Sequence, residues 1–339
     1  MGNAKRESAF VLVLSLLFAT ASPATAAEPQ YKPVKQVQIG GGGGWDYLFA
    51  DPVGRRLYVT HGTKVVVIDT DQDKVVGEVF DTPGVHGFIA VPELKRGFST
   101  NGQENKASVV DLETLKTVMK VPTGANPDAL LYEPKSGEVW TFNGRGRSAT
   151  AFDAKTGKVV ADAIPLDGKP ETGVADPEAN RIYVNLEDKN AVAVIDVAAH
   201  KVVATWPIAP GTAATGMAID VKLHRLVIGC GNSKVVLMDS TNGNIVGTAE
   251  CGHGVDAAAF DPETHLAFVS AGGSGTVTVA RVEADKLTVV QTLTTERGAR
   301  TMTVDPKTHR IYLANAKSRQ DANSFKVLVY AADVPAAKP

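Results

Sequence analysis

Cysteine is nearly absent from this chain: 339 residues hold two, Cys230 and Cys251. A charge excess is absent too, since 35 Lys and Arg face 37 Asp and Glu for a formal net charge of −2. That balance gives no bulk attraction to nucleic acid or to an anionic lipid surface. Any basic patch must be local, and Arg145, Arg147, Lys317 and Arg319 are its candidates. Motifs with a fixed chemistry are missing as well. There is no Cys-x-x-Cys-His for haem, no His-Glu-x-x-His and no Gly-x-Ser-x-Gly elbow. The glycine run Gly40–Gly44 is not followed by Gly-Lys-Ser/Thr, so it is a crossing loop rather than a phosphate loop.

Long hydrophobic runs are confined to the start. Lys5 and Arg6 precede an apolar stretch from Ala9 to Ala19, and Ala24-Thr25-Ala26 offers small residues for cleavage. The pattern predicts a secretory signal peptide over 1–26, too short in its apolar core to span a bilayer. A soluble periplasmic or secreted protein is expected, with one domain over 27–333 and a disordered Ala/Pro/Lys tail over 334–339. In an oxidising compartment an even cysteine pair suggests a Cys230–Cys251 disulfide. Free thiols, or a soft-metal site completed by His253, are the alternatives.

What the chain does have is a repeat. An acidic or similar residue, usually followed by Pro, opens a turn that leads into a β-type run. The copies start at Asp51, Val91, Glu133, Asp176, Asp220, Asp261 and Asp305, 40 to 44 residues apart. The runs that follow include Arg56-Leu57-Tyr58-Val59, Arg181-Ile182-Tyr183-Val184 and Arg310-Ile311-Tyr312-Leu313. Each unit holds four short apolar runs separated by Gly, Asn, Asp and Pro, which reads as four strands joined by hairpins. Runs apolar on both faces fit a sheet sandwiched between neighbours. Seven such units predict an all-β, seven-bladed β-propeller of four-stranded blades.

The ends are out of frame with the repeat. Pro33 to Ile39 resembles a fourth strand, whereas only Lys326 to Tyr330 remains after the seventh turn motif to form a third. The N-terminal strand is therefore expected to complete the last blade, which removes an open sheet edge.

Five residues before each turn motif stand Asp46, His86, Asp128, Glu171, Thr215, Asp256 and Arg300. These positions should converge on the mouth of the central channel, where a mixed ring of ionisable groups reads as a ligand-binding site. Thr172 competes with Glu171 for the fourth place. Arg300 is the natural anchor for a carboxylate or phosphate, and His86 would make binding pH-sensitive. Residues just past each second strand form another tier: His61, Asn101, Asn143, Asn185, Cys230 and Asn315. The asparagines there read as turn chemistry, and His61 stands out. A divalent cation in the channel could be held by Asp46, Asp128 and Asp256. Trp45, Trp140 and Trp206 share no repeat frame, against a tryptophan-rich quinone propeller.

Arg181-Ile182-Tyr183-Val184-Asn185, Ala193-Val194-Ile195-Asp196 and Lys201-Val202-Val203-Ala204-Thr205 resemble the repeat of the YVTN-type β-propeller family. Tyr58-Val59-Thr60-His61 differs from the namesake tetrapeptide by one residue. The likeness runs from about Val34 to Tyr330, and within the family the YncE-like exported branch is the most similar. It implies a non-catalytic binding or scaffold role, with a small polar molecule, a protein loop or single-stranded DNA as partner, and a monomer. No aromatic stacking platform supports the DNA ligand. The competing class is a lactonase-like hydrolase or lyase acting in the channel, metal-dependent or with His86 and Arg300 as base and cation.

Overall fold

The acid that opens each repeat builds its turn. Asp51 accepts the amides of Val53 and Gly54 at 2.9 and 2.8 Å. Asp305 takes the Lys307 amide at 3.0 Å and the Thr308 hydroxyl at 2.7 Å. Asp176, Asp220 and Asp261 serve Ala179, Leu223 and Glu263 in the same way. A short carboxylate on the amides two and three residues ahead satisfies donors that the reversal would otherwise strand. The turn then passes through a left-handed residue such as Arg55, His265 or His309, at φ 54°, 56° and 57°.

The computed structural model describes residues 1, 2 and 28–332. The expected signal peptide, apart from residues 1 and 2, and the 334–339 tail lie outside the described residues. Within them the chain forms seven four-stranded antiparallel sheets. Blade 1 runs through Trp45–Asp51, Arg56–His61, Lys64–Asp69 and Lys74–Val79, paired in that order. Blades 2 to 6 begin with inner strands Val85–Val91, Pro127–Glu133, Pro170–Asp176, Ala214–Asp220 and Val255–Asp261. Blade 7 takes Met302–Asp305, Arg310–Asn315 and Lys326–Ala331 from the end of the chain and Lys32–Gln38 from its beginning. Gln36 pairs with Leu328 and Val37 with Val327, so the expected closure is present. Among the described residues the helical segments are two 3-10 turns, Pro92–Leu94 and Glu187–Lys189, and none is long and apolar enough to cross a membrane.

Each boundary between neighbouring blades holds its own apolar cluster, seven in all. Between blades 1 and 2, Tyr58, Val65 and Val67 meet Phe88, Ala90 and Val110, and the Tyr58 ring stacks on Phe88 at 4.5 Å. Between blades 7 and 1, Tyr312 and Val327 meet Leu57 and Val59. A middle strand is therefore buried on both sides, which is why Val65, Val66 and Val67 are all fully covered.

The turn acids also lock blade to blade with their second oxygen. Asp305 Oδ2 takes Arg55 Nη1 of blade 1 at 2.9 Å, Asp261 Oδ2 meets His309 Nδ1 of blade 7 at 2.6 Å, and Asp220 Oδ2 meets His265 Nδ1 of blade 6 at 3.3 Å. One residue type thus closes a turn and ties it to the next blade.

The cysteine expectation needs correction. Cys230 and Cys251 are free thiols. Both belong to blade 5, but Cys230 faces the cluster shared with blade 4 and Cys251 the cluster shared with blade 6. Sulfurs on opposite faces of one sheet cannot bond without rebuilding it.

Candidate functional site at the channel mouth

The inner strands start irregularly, and the irregularity aims the site. In blade 1 Trp45 pairs with His61, and the next pair is Leu48 with Val59, leaving one residue too many on the inner strand. Blades 2 to 6 carry the same one-residue bulge, just after Val85, Pro127, Pro170, Ala214 and Val255. Asp46, His86, Asp128, Glu171, Thr215 and Asp256 each follow that first pair, where a bulge frees a side chain from the pleat and turns it. Glu171, rather than Thr172, holds the equivalent place in blade 4. Second-strand hydroxyls brace the bulges. Thr60 accepts the Asp46 amide at 3.1 Å and donates to the Tyr47 carbonyl, Thr100 accepts the Gly87 amide, and Ser270 donates to the Arg300 carbonyl.

The ring divides into two electrostatic halves. On one side the acids have dedicated cations: Asp256 meets Arg300 Nη1 at 2.5 Å, and Glu171 meets Lys169 Nζ at 2.6 Å. On the other, His86 Nδ1 lies 2.7 Å from Asp46 and 3.6 Å from Asp128, and Nε2 lies 3.4 Å from the Asn126 amide. Thr215, between Glu171 and Asp256 in the paired half, donates its hydroxyl to the Val255 carbonyl at 3.1 Å.

Burial strains these charges. It pushes the Asp128 carboxyl up to about 6, helped by Asp46, and Asp256 up to about 6 against the pull of Arg300. Glu171 rises to about 8 through burial and the charge of Asp128, with Lys169 opposing. For His86 burial works against the charged form, but the hydrogen bond it donates to Asp46 and the charges of Asp128, Asp46 and Glu171 lift it overall.

Above this floor lies a cavity of about 550 Å³, lined among others by Asp46, His86, Asn126 and Arg300. Arg145 and Arg319, from the second-to-third-strand loops of blades 3 and 7, also line it. Both are exposed, and neither has an ion pair or hydrogen bond from its side chain among the described residues. Of the basic loop residues singled out in the sequence, Arg147 is taken by Asp188 at 2.7 Å.

Two expected roles change. Arg300 is not a free anchor: one arm holds Asp256 and the other donates to the Trp45 carbonyl at 2.7 Å. His61 is outside the ring. It is 3 % exposed, its ring stacks on Phe325 at 3.9 Å under the glycine loop, and burial lowers it to about 4, so it is neutral. Asn101, Asn143 and Asn185 are structural as expected, buried and bonded to Ser108, Thr150 and the Gly216 carbonyl.

The sequence reading missed Tyr47. Its hydroxyl lies 3.2 Å from that of Thr172 in blade 4, a blade that is not a neighbour of blade 1, so the ring bars the channel beneath the acids. Burial and the surrounding carboxylates Asp128, Glu171, Asp46 and Asp256 hold its phenol well above its usual range. A signal existed: the equivalent residues are Gly87, Ala129, Thr172, Gly216, Ala257 and Thr301, all small.

No protein-family model and no curated protein matches the chain. Solved structures share its shape. A chain of hydrazine synthase from Kuenenia stuttgartiensis superposes with a TM-score of 0.73 at 15% identity, over 93% of this chain and all of that one. A chain of a mitotic checkpoint complex gives 0.71 at 12% identity, over 96% and 98%. At these identities the likeness establishes the seven-bladed propeller fold and nothing finer.

Proposed function

We propose that the protein is an exported, YVTN-type binding propeller that holds a small anionic molecule, a carboxylate or a phosphate, at the channel mouth. The observation that carries this reading is the pair Arg145 and Arg319: two guanidinium groups on one cavity, neither with a side-chain partner among the described residues. A guanidinium fork matches planar and tetrahedral oxyanions bidentately, and two forks from opposite rims select by spacing. The repeat sequences support the family reading, and Lys5-Arg6 with the apolar stretch after it supports export.

The test is a thermal-shift and calorimetric screen of mono-, di- and tricarboxylates and phosphate esters on the mature protein. A saturable ligand whose affinity falls at least tenfold in Arg145→Ala/Arg319→Ala supports the reading. A screen without a hit, or a hit indifferent to both changes, rejects it.

A further inference from the structure

From the uncompensated half of the ring we infer that Asp46, His86 and Asp128 form a binding site for a first-row divalent cation of the zinc or manganese type. The three residues come from blades 1, 2 and 3 at the same bulge position, so rigid, equivalent pieces of backbone present them. One ligand atom from each lies within 4.8 Å of the others, a span that an ion at ordinary bond lengths can bridge after small side-chain rotations. One imidazole and two carboxylates are a mixed nitrogen and oxygen set, which suits zinc, manganese or iron rather than calcium or a thiolate-seeking metal.

Charge pairing picks this trio out of the larger ring. Asp256 has Arg300 and Glu171 has Lys169, each pair in hydrogen-bond contact. Among the described residues Asp46 and Asp128 have one cationic group in ion-pair contact, His86, and the Asp128 carboxylate accepts no hydrogen bond, His86 Nδ1 lying 3.6 Å away. Arg300 and Lys169 act on the two carboxylates only from farther off, and a divalent ion would put positive charge in contact with both. Asn126 Nδ2 stands 3.4 Å from His86 Nε2, and a flip of that amide would turn its oxygen there to accept the Nε2 proton of a histidine liganding through Nδ1. Asp46 and His86 line the cavity, so the position a three-ligand site leaves open faces the space under Arg145 and Arg319. The inference goes beyond anion binding and stands without it, because the metal alone is the probe.

The experiment is isothermal titration of chelator-treated protein with ZnCl2, repeated with MnCl2, at pH 7.5, with metal content read by mass spectrometry. One saturable site is expected. Its affinity should fall at least tenfold in Asp128→Asn and in His86→Gln and stay unchanged in Cys251→Ser. Circular dichroism shows that each variant is folded, and Asp128→Asn keeps the side-chain shape should His86→Gln unfold. Absence of a saturable site in the folded wild type overturns the assignment. Loss of binding with Cys251→Ser, or binding that survives Asp128→Asn, moves the metal elsewhere and overturns it equally.

Discussion

The hydroxyls of Tyr47 and Thr172 meet at 3.2 Å across the axis of the ring and join two blades that are not neighbours. The phenol lies among four carboxylates that oppose its ionisation. Tyr47→Phe should lower stability by about 0.5–1.5 kcal/mol, the net value of one intramolecular hydrogen bond. In a spectrophotometric titration Tyr47 should stay protonated as long as the fold holds, so wild type and Tyr47→Phe should share one native curve. A native phenolate step that disappears in Tyr47→Phe would contradict this placement.

Stability should fall as pH rises from about 5 to about 8. An acid held above its unfolded value keeps a proton in the native state that the unfolded chain has already released, so raising the pH across that interval removes stability. Asp128 and Asp256, at about 6, act in the lower part of the window, and Glu171, at about 8, extends it upward. His86 is raised as well and acts in the same direction: its contribution is whole below the unfolded value and is lost as pH climbs through the folded one. Urea midpoints at pH 5, 6.5 and 8 check the slope, and Asp128→Asn/Glu171→Gln should flatten it.

Arg55 bonds two carboxylates of different cost. Asp71 is 61% exposed and Asp305 is 1% exposed. Asp71→Ala should barely move the denaturation midpoint, because solvent screens a surface pair. Asp305→Ala takes the buried acceptor from Lys307 and Thr308 and one of two partners from Arg55, which keeps Asp71, and should cost about 1–3 kcal/mol. Chemical denaturation of the two variants separates the cases, and similar midpoints would show that the blade 7 to blade 1 lock is ornamental.

The thiols should be inert while the protein is folded. Burial lifts Cys230 to about 12 with help from Cys251, and lifts Cys251 to about 12 with help from Glu250. Little thiolate exists at pH 8, and alkylation needs thiolate. Iodoacetamide should label neither cysteine in buffer within minutes and both in denaturant. A cross-linked peptide in unreduced digests would restore the disulfide.

The blades were legible because turn chemistry recurs: an acid that caps amides opens every copy but the second, where Val91 leads into a 3-10 turn, and a short apolar strand follows each. The ring positions followed from the same frame, since a bulge at a fixed offset moves all copies together. Partner choice was not legible. That Arg300 turns to Asp256 and the Trp45 carbonyl, leaving Arg145 and Arg319 open, depends on which blade tips lie side by side. The cysteine reading failed for a related reason: both sulfurs belong to one blade, but strand parity sends them to different neighbours. Tyr47 lay in plain view as the one large residue in a column of small ones, hidden by attention to charge.

Pairing Lys32–Gln38 with Lys326–Ala331 has a temporal side. The two strands lie nearly 300 positions apart, and Lys326 reaches Gln36 across 290 of them. Bringing the ends of so long a flexible segment together costs about 5 kcal/mol of chain entropy on the logarithmic law. The first strand finds its partner only after every other described strand has been made, because Lys326–Ala331 is the last of them in chain order. Closing the circle is therefore the last step of its assembly, and whatever holds the first strand apart holds every earlier blade in an arc with two raw edges.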